Sequence, residues 1–153
     1  MPFADDLLLD AHHLSRRGGK NPKQSSLRRA VSTAYYALFH LLIADFVLNW
    51  KRRDQRARLG RMFEHRKMVQ AAFKPQAGPA SQIETKLKTV VDAFAQLQED
   101  RHFADYDVGR IWSRLDVTNS LATADEAFLA WRDIRNEKIA QDHLLTMFGA
   151  RKA

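Results

Sequence analysis

SSLRRAVSTAYYALFHLLIADFV, residues 25–47, is the stretch that decides the fold, because its apolar residues recur at helical spacing on two sides. One stripe consists of Leu27, Val31, Ala34, Leu38, Leu41 and Leu42, and the second consists of Tyr36, His40, Ile43 and Val47. A helix that is apolar on two sides has to be buried on two sides. We therefore predict a helix over about residues 23–50 that lies at the centre of a bundle or at a subunit interface.

Helical patterns extend over most of the remaining chain. A first helix is predicted over residues 3–17, ending at Gly18-Gly19, and a shorter helix over 62–73, followed by a loop over 74–81. Ser81 and Glu84 have the spacing of a capping box, which predicts the start of a helix that runs to at least Leu97. Residues 108–117 are ambiguous, and 118–147 are again helical in pattern.

Four or five helices joined by mostly short connections predict an all-α, antiparallel up-and-down bundle, and the length of 153 residues predicts a single domain over residues 1–153. There is no cysteine, so disulfides are excluded and a reducing compartment is favoured. The N-terminus lacks the pattern of a signal peptide. The longest apolar run, Ala37 to Ala44, is interrupted by His40 and is too short to span a bilayer. We expect a cytoplasmic protein without membrane contact.

The positive charge of the chain is concentrated in its first half. The net charge is +7, but residues 16–67 hold fourteen Lys or Arg and three acids, which gives +11 for that segment. Such a segment can attract a polyanion or an acidic partner protein, or it can form a solvated basic face without a ligand. The arginines predicted to bind nucleic acid are Arg52, Arg53, Arg56, Arg58 and Arg61.

The histidines do not have the spacing of a metal site. None of the six forms a pair three or four residues apart, and no His-Glu-x-x-His motif occurs. A Gly-rich phosphate loop and a Gly-x-Ser-x-Gly motif are also missing from the sequence. We predict neither a metal nor a cofactor.

LQEDRHFADYD, residues 97–107, contains the densest cluster of polar residues. If the preceding helix persists one turn past Leu97, Arg101 and Asp105 share a face and can pair. A guanidinium held by a carboxylate can grip a phosphate, and Tyr106 could supply a hydroxyl or a stacking ring. The same residues could equally form a network that ends the helix, with Arg101 tying Asp105 or loop carbonyls in place. The sequence leaves both alternatives open.

Two further pairs favour a structural interpretation. Tyr36 and His40 share a helix face, but a single histidine on an apolar face usually belongs to the core, so we favour packing over ligand binding. Arg135 and His143 could act as a phosphate clamp and a general acid/base. They are separated by about 12 Å along a helix, which is too long for both to reach one phosphate, and an ordinary polar face is favoured.

Residues 25–40, with Tyr35-Tyr36-Ala37-Leu38-Phe39-His40, and residues 101–107, with Arg101-His102-Phe103-Ala104-Asp105-Tyr106, together resemble the HEPN superfamily. The most similar branch consists of small stand-alone bacterial proteins, and the resemblance covers about residues 25–143. It implies a helical bundle that commonly forms a homodimer. Many members are metal-independent endoribonucleases, often toxins paired with a nucleotidyltransferase antitoxin, and others bind RNA or nucleotides without catalysis.

The chain departs from the ribonuclease motif of that family, in which a histidine follows an arginine at short spacing. Asp105 and Tyr106 stand at the comparable place after Arg101, and the interval from Arg135 to His143 is one residue too long. A carboxylate at the position of the histidine is not a proton donor at neutral pH unless its pKa is strongly raised.

We therefore predict a noncatalytic module, forming a homodimer, that binds RNA, a nucleotide or a partner protein, such as a nucleotidyltransferase, through its basic face. The alternative is a metal-independent ribonuclease, the toxin of a toxin–antitoxin pair. Its catalytic residues would be Arg101, Asp105 and Tyr106, with His102 or His143 as acid/base. A third hypothesis is a structural homodimer with Tyr36 and His40 at its interface.

Overall fold

The computed structural model of the protein describes residues 2–48 and 81–148. These residues form five helices, which are α1 (Phe3–Arg16), α2 (Gln24–Leu48), α3 (Gln82–Tyr106), α4 (Arg114–Ile134) and α5 (Lys138–Phe148), and no strand occurs in the two ranges. The predicted all-α fold is thereby confirmed. The helix predicted over 62–73 and all but the last residue of the loop predicted over 74–81 lie outside the described residues.

Contacts between helix ends make α2 antiparallel to α1, and α3 antiparallel to α2. Phe3, at the start of α1, packs edge-on against His40 in the later part of α2, with ring centroids 4.9 Å apart. Arg28, near the start of α2, donates a hydrogen bond of 3.0 Å to the carbonyl of Ala104 near the end of α3. Each helix therefore runs back along the one before it, as expected for an up-and-down bundle.

Helix α4 completes the bundle. Lys86 at the start of α3 lies 2.9 Å from Asp133 at the end of α4, so these helices are also antiparallel. His12 of α1 lies 2.8 Å from Asp125, which connects α1 directly to α4. Helix α2 faces α4 across the bundle, since Asp45 of α2 accepts a hydrogen bond from Trp131.

The predicted central position of α2 is confirmed, because α2 packs against all four other described helices. All six residues of its first apolar stripe are buried, whereas Tyr36, His40 and Val47 of the second stripe are only partly buried. By length and composition alone this helix could cross a membrane, but 61% of its most apolar window is buried inside the structure. Burial of this kind is consistent with the core helix of a soluble protein.

The last helical segment differs from its prediction as one helix over 118–147. Helix α4 begins earlier, where the Ser113 hydroxyl accepts from the Asp116 amide at 3.1 Å and the Asp116 carboxylate accepts from the Ser113 amide at 2.9 Å. This complete capping box resolves the ambiguity over residues 108–117. The chain then leaves α4 after Ile134, and the side chain of Gln141 donates to the free carbonyl of Arg135. Asn136, a weak helix former, stands in this break.

A buried carboxylate holds α2 to the end of α4. Asp45 is 6% exposed and accepts hydrogen bonds from Trp131 Nε1 at 2.5 Å and from Arg135 Nη2 and Nε at 2.5 and 3.1 Å. The guanidinium engages both carboxylate oxygens, which is the strongest geometry for such a pair. A buried carboxylate without partners would be costly, so these three bonds make the charge compatible with the core.

We expect Asp45→Ala to lower the free energy of unfolding by about 3 kcal/mol, because the buried Trp131 Nε1–H would lose its acceptor and the 36%-exposed Arg135 its carboxylate partner. Urea denaturation followed by circular dichroism measures this. Asp133→Ala is the control, since Asp133 pairs with Lys86 but is 59% exposed, and its loss should change stability by less than about 1 kcal/mol. Equal losses in the two variants would contradict the account of Asp45.

Candidate functional site

Most of the residues predicted to act chemically lie at one end of the bundle, where α1 and α3 end and α2 and α4 begin. Helix α3 continues to Tyr106, well past Leu97. Its last two turns therefore carry Arg101, His102, Asp105 and Tyr106. The structure brings these four predicted residues into one region.

The predicted pairing of Arg101 with Asp105 is confirmed. Arg101 Nη1 lies 3.3 Å from Asp105 Oδ2, at the spacing of one helical turn. The hydroxyl of Ser32, on α2, donates to the same carboxylate oxygen at 3.3 Å. Asp105 therefore connects the end of α3 both to its own arginine and to the neighbouring helix.

Arg101 is also held by two aromatic rings of α2. Its Cζ atom lies 5.2 Å from the ring centroid of Tyr35 and 5.8 Å from that of Tyr36, within the range of cation–π contacts. The side chain is 14% exposed. The Nε atom is buried and finds no hydrogen-bond acceptor within residues 2–48 and 81–148. The guanidinium thus faces protein groups more than solvent, which favours the helix-ending network over a free phosphate clamp.

The surroundings of Arg101 keep it charged. Burial opposes the charge, but Tyr36, a hydrogen bond with Tyr106, Tyr35 and Asp105 outweigh it, so the pKa of Arg101 is raised above its usual value. Burial raises the pKa of the Tyr35 hydroxyl, and the nearby Arg101 guanidinium opposes that rise in part. Tyr35 is therefore a neutral phenol beside a permanent cation at physiological pH.

His102 and Tyr106 form an exposed aromatic pair beside this braced arginine. Their ring centroids are 5.3 Å apart, and Tyr106 is 65% exposed. His102 also contacts the ring of Phe103, with centroids 6.2 Å apart. Exposed rings next to positive charge are a common platform for unpaired bases.

His143 lies in a different region from the other predicted catalytic residues. It is buried on α5, and this helix meets α2 through Phe148 and Phe46, whose ring centroids are 5.2 Å apart. Arg101 meets α2 at Tyr35, which is eleven residues or about 16 Å before Phe46 along the helix. The structure therefore does not place His143 beside Arg101. Arg135, the other arginine considered as a clamp, is occupied by Asp45.

The pKa of His143 is lowered from its usual 6.5 because burial disfavours the charged imidazole. Burial also lowers the pKa of His40, which packs edge-on against Phe39 with centroids 5.2 Å apart. Both histidines are therefore held in the neutral form by the fold. Tyr36 packs against the hydrophobic core, and His40 packs against the rings of Phe3 and Phe39. Both contacts agree with the interpretation of these partly buried residues as packing residues.

Arg28, which the sequence analysis did not identify, supports the site from α2. Its Nη1 donates to the carbonyls of Ala104 and Asp107 at 3.0 and 2.9 Å, and its Nη2 donates to the carbonyl of Arg110. The last carbonyls of a helix have no partner within the helix, and a cation there also interacts favourably with the helix dipole. One side chain of α2 thus ends α3 and fixes the turn towards α4. No local sequence pattern indicates this role, because its partners lie more than seventy residues away in the chain.

We expect Arg28→Ala to lower the free energy of unfolding by about 2 kcal/mol, since it removes several charge-assisted hydrogen bonds to carbonyls. Hydrogen exchange should also become faster at the amides of Asp107 and Arg110. Arg29→Ala is the matched control, because Arg29 is exposed and has no hydrogen bond or ion pair within the described ranges. If Arg28→Ala is as stable as Arg29→Ala and exchange is unchanged, Arg28 does not fix this turn.

A second prediction concerns pH. Because burial lowers the pKa of His143 in the folded protein, the unfolded chain takes up its proton first as the pH falls. The stabilising contribution is complete above about pH 6.5 and is lost as the pH falls through the folded-state pKa. His143→Gln should therefore shrink the loss of unfolding free energy between pH 7.5 and pH 5, measured by urea denaturation. The same substitution at the exposed His13 is the control; an equal effect there would refute the assignment.

The same end of the bundle carries a group of exposed cations, here called the basic end, made up of Arg16, Arg17, Lys20, Lys23 and Arg29. Between Asp10 and Asp45 the chain has no acid. None of the five takes part in an ion pair within the described part of the chain. Their charge therefore faces solvent without compensation.

The arginines predicted to bind nucleic acid, Arg52, Arg53, Arg56, Arg58 and Arg61, lie outside the described residues. Leu48, the last described residue before them, is about 36 Å along α2 from Gln24. The described cations of the basic segment 16–67 thus lie from the end of α1 to the first turns of α2, and the sequence analysis did not predict nucleic-acid binding there.

Among the residues that the structure describes, no group of three His, Asp or Glu side chains could hold a metal ion. Comparison with protein-family models, curated proteins and solved structures yields no match for the chain.

Proposed function

We propose that this protein is a noncatalytic helical module that binds single-stranded RNA through the basic end of its bundle. The observation that carries the proposal is the set of five exposed cations without an ion pair in the described ranges. Lys86, Arg101 and Arg135, in contrast, are ion-paired, and Arg28 and Arg114 are bonded to backbone carbonyls. Unpaired cations on one surface bind a polyanion by releasing its counterions.

The exposed rings beside the basic end favour a single strand over a duplex. His102 and Tyr106 lie at the end of α3, and the carbonyl of Asp107 directly after them is bonded to Arg28 of α2. The basic end lies at the same end of the bundle, with Arg29 next to Arg28 in the chain. A protein with rings and cations at one end can stack unpaired bases and bind the phosphates of the same strand, whereas the bases of a duplex are already paired.

The noncatalytic part of the proposal rests on the state of Arg101. Its guanidinium is engaged by Asp105 and by the rings of Tyr35 and Tyr36. A carboxylate rather than a histidine stands one turn beyond it. His143 lies against another part of the surface of α2, so it supplies no acid/base partner for a phosphate bound at Arg101.

One observation favours a ribonuclease as the second candidate. His102 directly follows Arg101 and is exposed beside Tyr106, at the same end of the bundle as the unpaired cations. An exposed imidazole can transfer protons near neutral pH. In that case Arg101 would have to exchange Asp105 for the scissile phosphate.

The resemblance to the HEPN superfamily supports RNA binding and adds a homodimer, a nucleotidyltransferase-type partner protein and a cytoplasmic location to the proposal. The connection between α3 and α4 and the first turn of α4 provide exposed apolar side chains for such contacts, since Val108 is 90%, Ile111 81% and Leu115 69% exposed. Apolar residues exposed together commonly mark contact with another protein.

We expect a labelled single-stranded oligoribonucleotide to bind with an affinity that falls steeply as salt rises, as measured by fluorescence anisotropy. Replacing Arg17, Lys20 and Arg29 by glutamine should weaken binding and lower the slope of log affinity against log salt by about 0.7 for each phosphate that is no longer neutralised. The control replaces Lys86, Lys88 and Lys138, which are ion-paired and lie away from the basic end, and should keep the slope.

Absence of binding at low salt, or an equal weakening in the two triple variants, would overturn the proposal. Shortened RNA products that disappear in Arg101→Ala would replace it by the ribonuclease. Intact RNA after long incubation supports the noncatalytic module.

A further inference from the structure

A polar cavity of about 350 Å³ opens on the basic end, between the last turn of α1 and the first turns of α2. Its polar lining consists of Arg17, Asn21, Lys23, Ser25, Ser26 and Arg29. Three of these side chains are cations, and none of the described residues that line the cavity is acidic. Three of the five cations of the basic end, Arg17, Lys23 and Arg29, therefore line one cavity.

The wall of the cavity is a fixed turn. Gly18 has a φ of +86°, and a Cβ atom there would lie 2.9 Å from Cα of Pro22, so the turn requires glycine. The amide of Asn21 donates to the carbonyl of Gly18 at 3.0 Å. Arg114 of α4 braces the same turn from outside, donating to the carbonyls of Arg17 and Gly19 at 3.0 and 2.5 Å. The backbone that carries the lining residues of this turn is thus held in place before any ligand binds.

The three cations have no partner in the described part of the chain. Arg17, Lys23 and Arg29 make no side-chain hydrogen bond or ion pair there, whereas the neighbouring Arg28 uses its guanidinium on the carbonyls that end α3. Like charges placed around one concavity repel each other. An anion bound in the cavity would attract all three cations and so offset their mutual repulsion. The hydroxyls of Ser25 and Ser26 offer further hydrogen-bond donors to its oxygens.

We propose that this cavity binds a phosphomonoester dianion, such as the terminal phosphate of an RNA strand or the phosphate of a mononucleotide. A phosphomonoester carries close to two negative charges and three terminal oxygens, which suits three cations and two hydroxyls. A phosphodiester inside a strand carries one negative charge, and the nucleic-acid chain continues on both of its sides. A cavity that is closed on one side by a fixed turn leaves no room for the chain there, so it suits a phosphodiester less well. The volume, at the low end for ligand sites, suits a phosphate with its sugar.

Binding of a phosphomonoester in this cavity does not depend on the proposed function. Only the assignment of that phosphate to the end of an RNA strand rests on the proposed RNA binding. The first experiment compares two oligoribonucleotides of one sequence, labelled at the 3′ end, with and without a 5′ phosphate. We expect about tenfold tighter binding of the phosphorylated strand, read from fluorescence anisotropy. Arg17→Gln and Arg29→Gln should remove this preference. Lys20→Gln should keep it, because Lys20 is exposed at the same end but does not line the cavity.

The second experiment uses nucleoside 5′-monophosphate and the corresponding nucleoside as probes, with the midpoint of thermal unfolding as readout. A shift with the monophosphate alone that is lost in Arg29→Gln supports the cavity whether or not RNA binds. Preference for neither the phosphorylated strand nor the monophosphate overturns the inference, even if RNA binds through the basic end. A monophosphate shift without RNA binding keeps the cavity, assigns the free nucleotide as its ligand and overturns the proposed RNA function.

Discussion

Burial of α2 on both of its apolar sides is the constraint from which the rest of the structure follows. A helix of this kind is stable in water only if other helices enclose it. Helices α1, α3 and α4 do so, and α5 turns back to cover it near Phe46. Polar groups that are buried in this core must form hydrogen bonds there. Asp45 meets that requirement through Trp131 and Arg135.

The same constraint divides the cations of the bundle into two classes. Arg28, Arg101 and Arg135 reach inward, and their charge is used on carbonyls, rings or carboxylates that hold helices together. The residues of the basic end, from the end of α1 to the first turns of α2, are exposed and have no such partners within the described ranges. At this end of the bundle Arg28 and Arg101 hold helices together, while the charge of the basic end remains uncompensated. This separation is why we assign binding to the basic end and support to Arg101.

The sequence was sufficient for α1, α2 and α3 and for the pairing of Arg101 with Asp105, because they follow from regular helical spacing, but it missed the start of α4 and the break after Ile134. It was insufficient where distant segments meet. The bonds from Arg28 to the end of α3 span more than seventy residues, and no local pattern announces them. At the break after Ile134, Arg135 is attached to Asp45 of another helix, a contact that no local pattern shows. The cavity likewise arises from the approach of α1 to α2, so its cations looked in sequence like any other solvated charges.

The central claim is that RNA binds at the end of the bundle where α2 begins. Titration of the ¹⁵N-labelled protein with a single-stranded oligoribonucleotide, followed by amide chemical shifts, tests it residue by residue. The account predicts that shifts cluster in residues 16–29 and 101–114. Shifts concentrated instead in residues 86–92 and 132–138, at the opposite end, would contradict it.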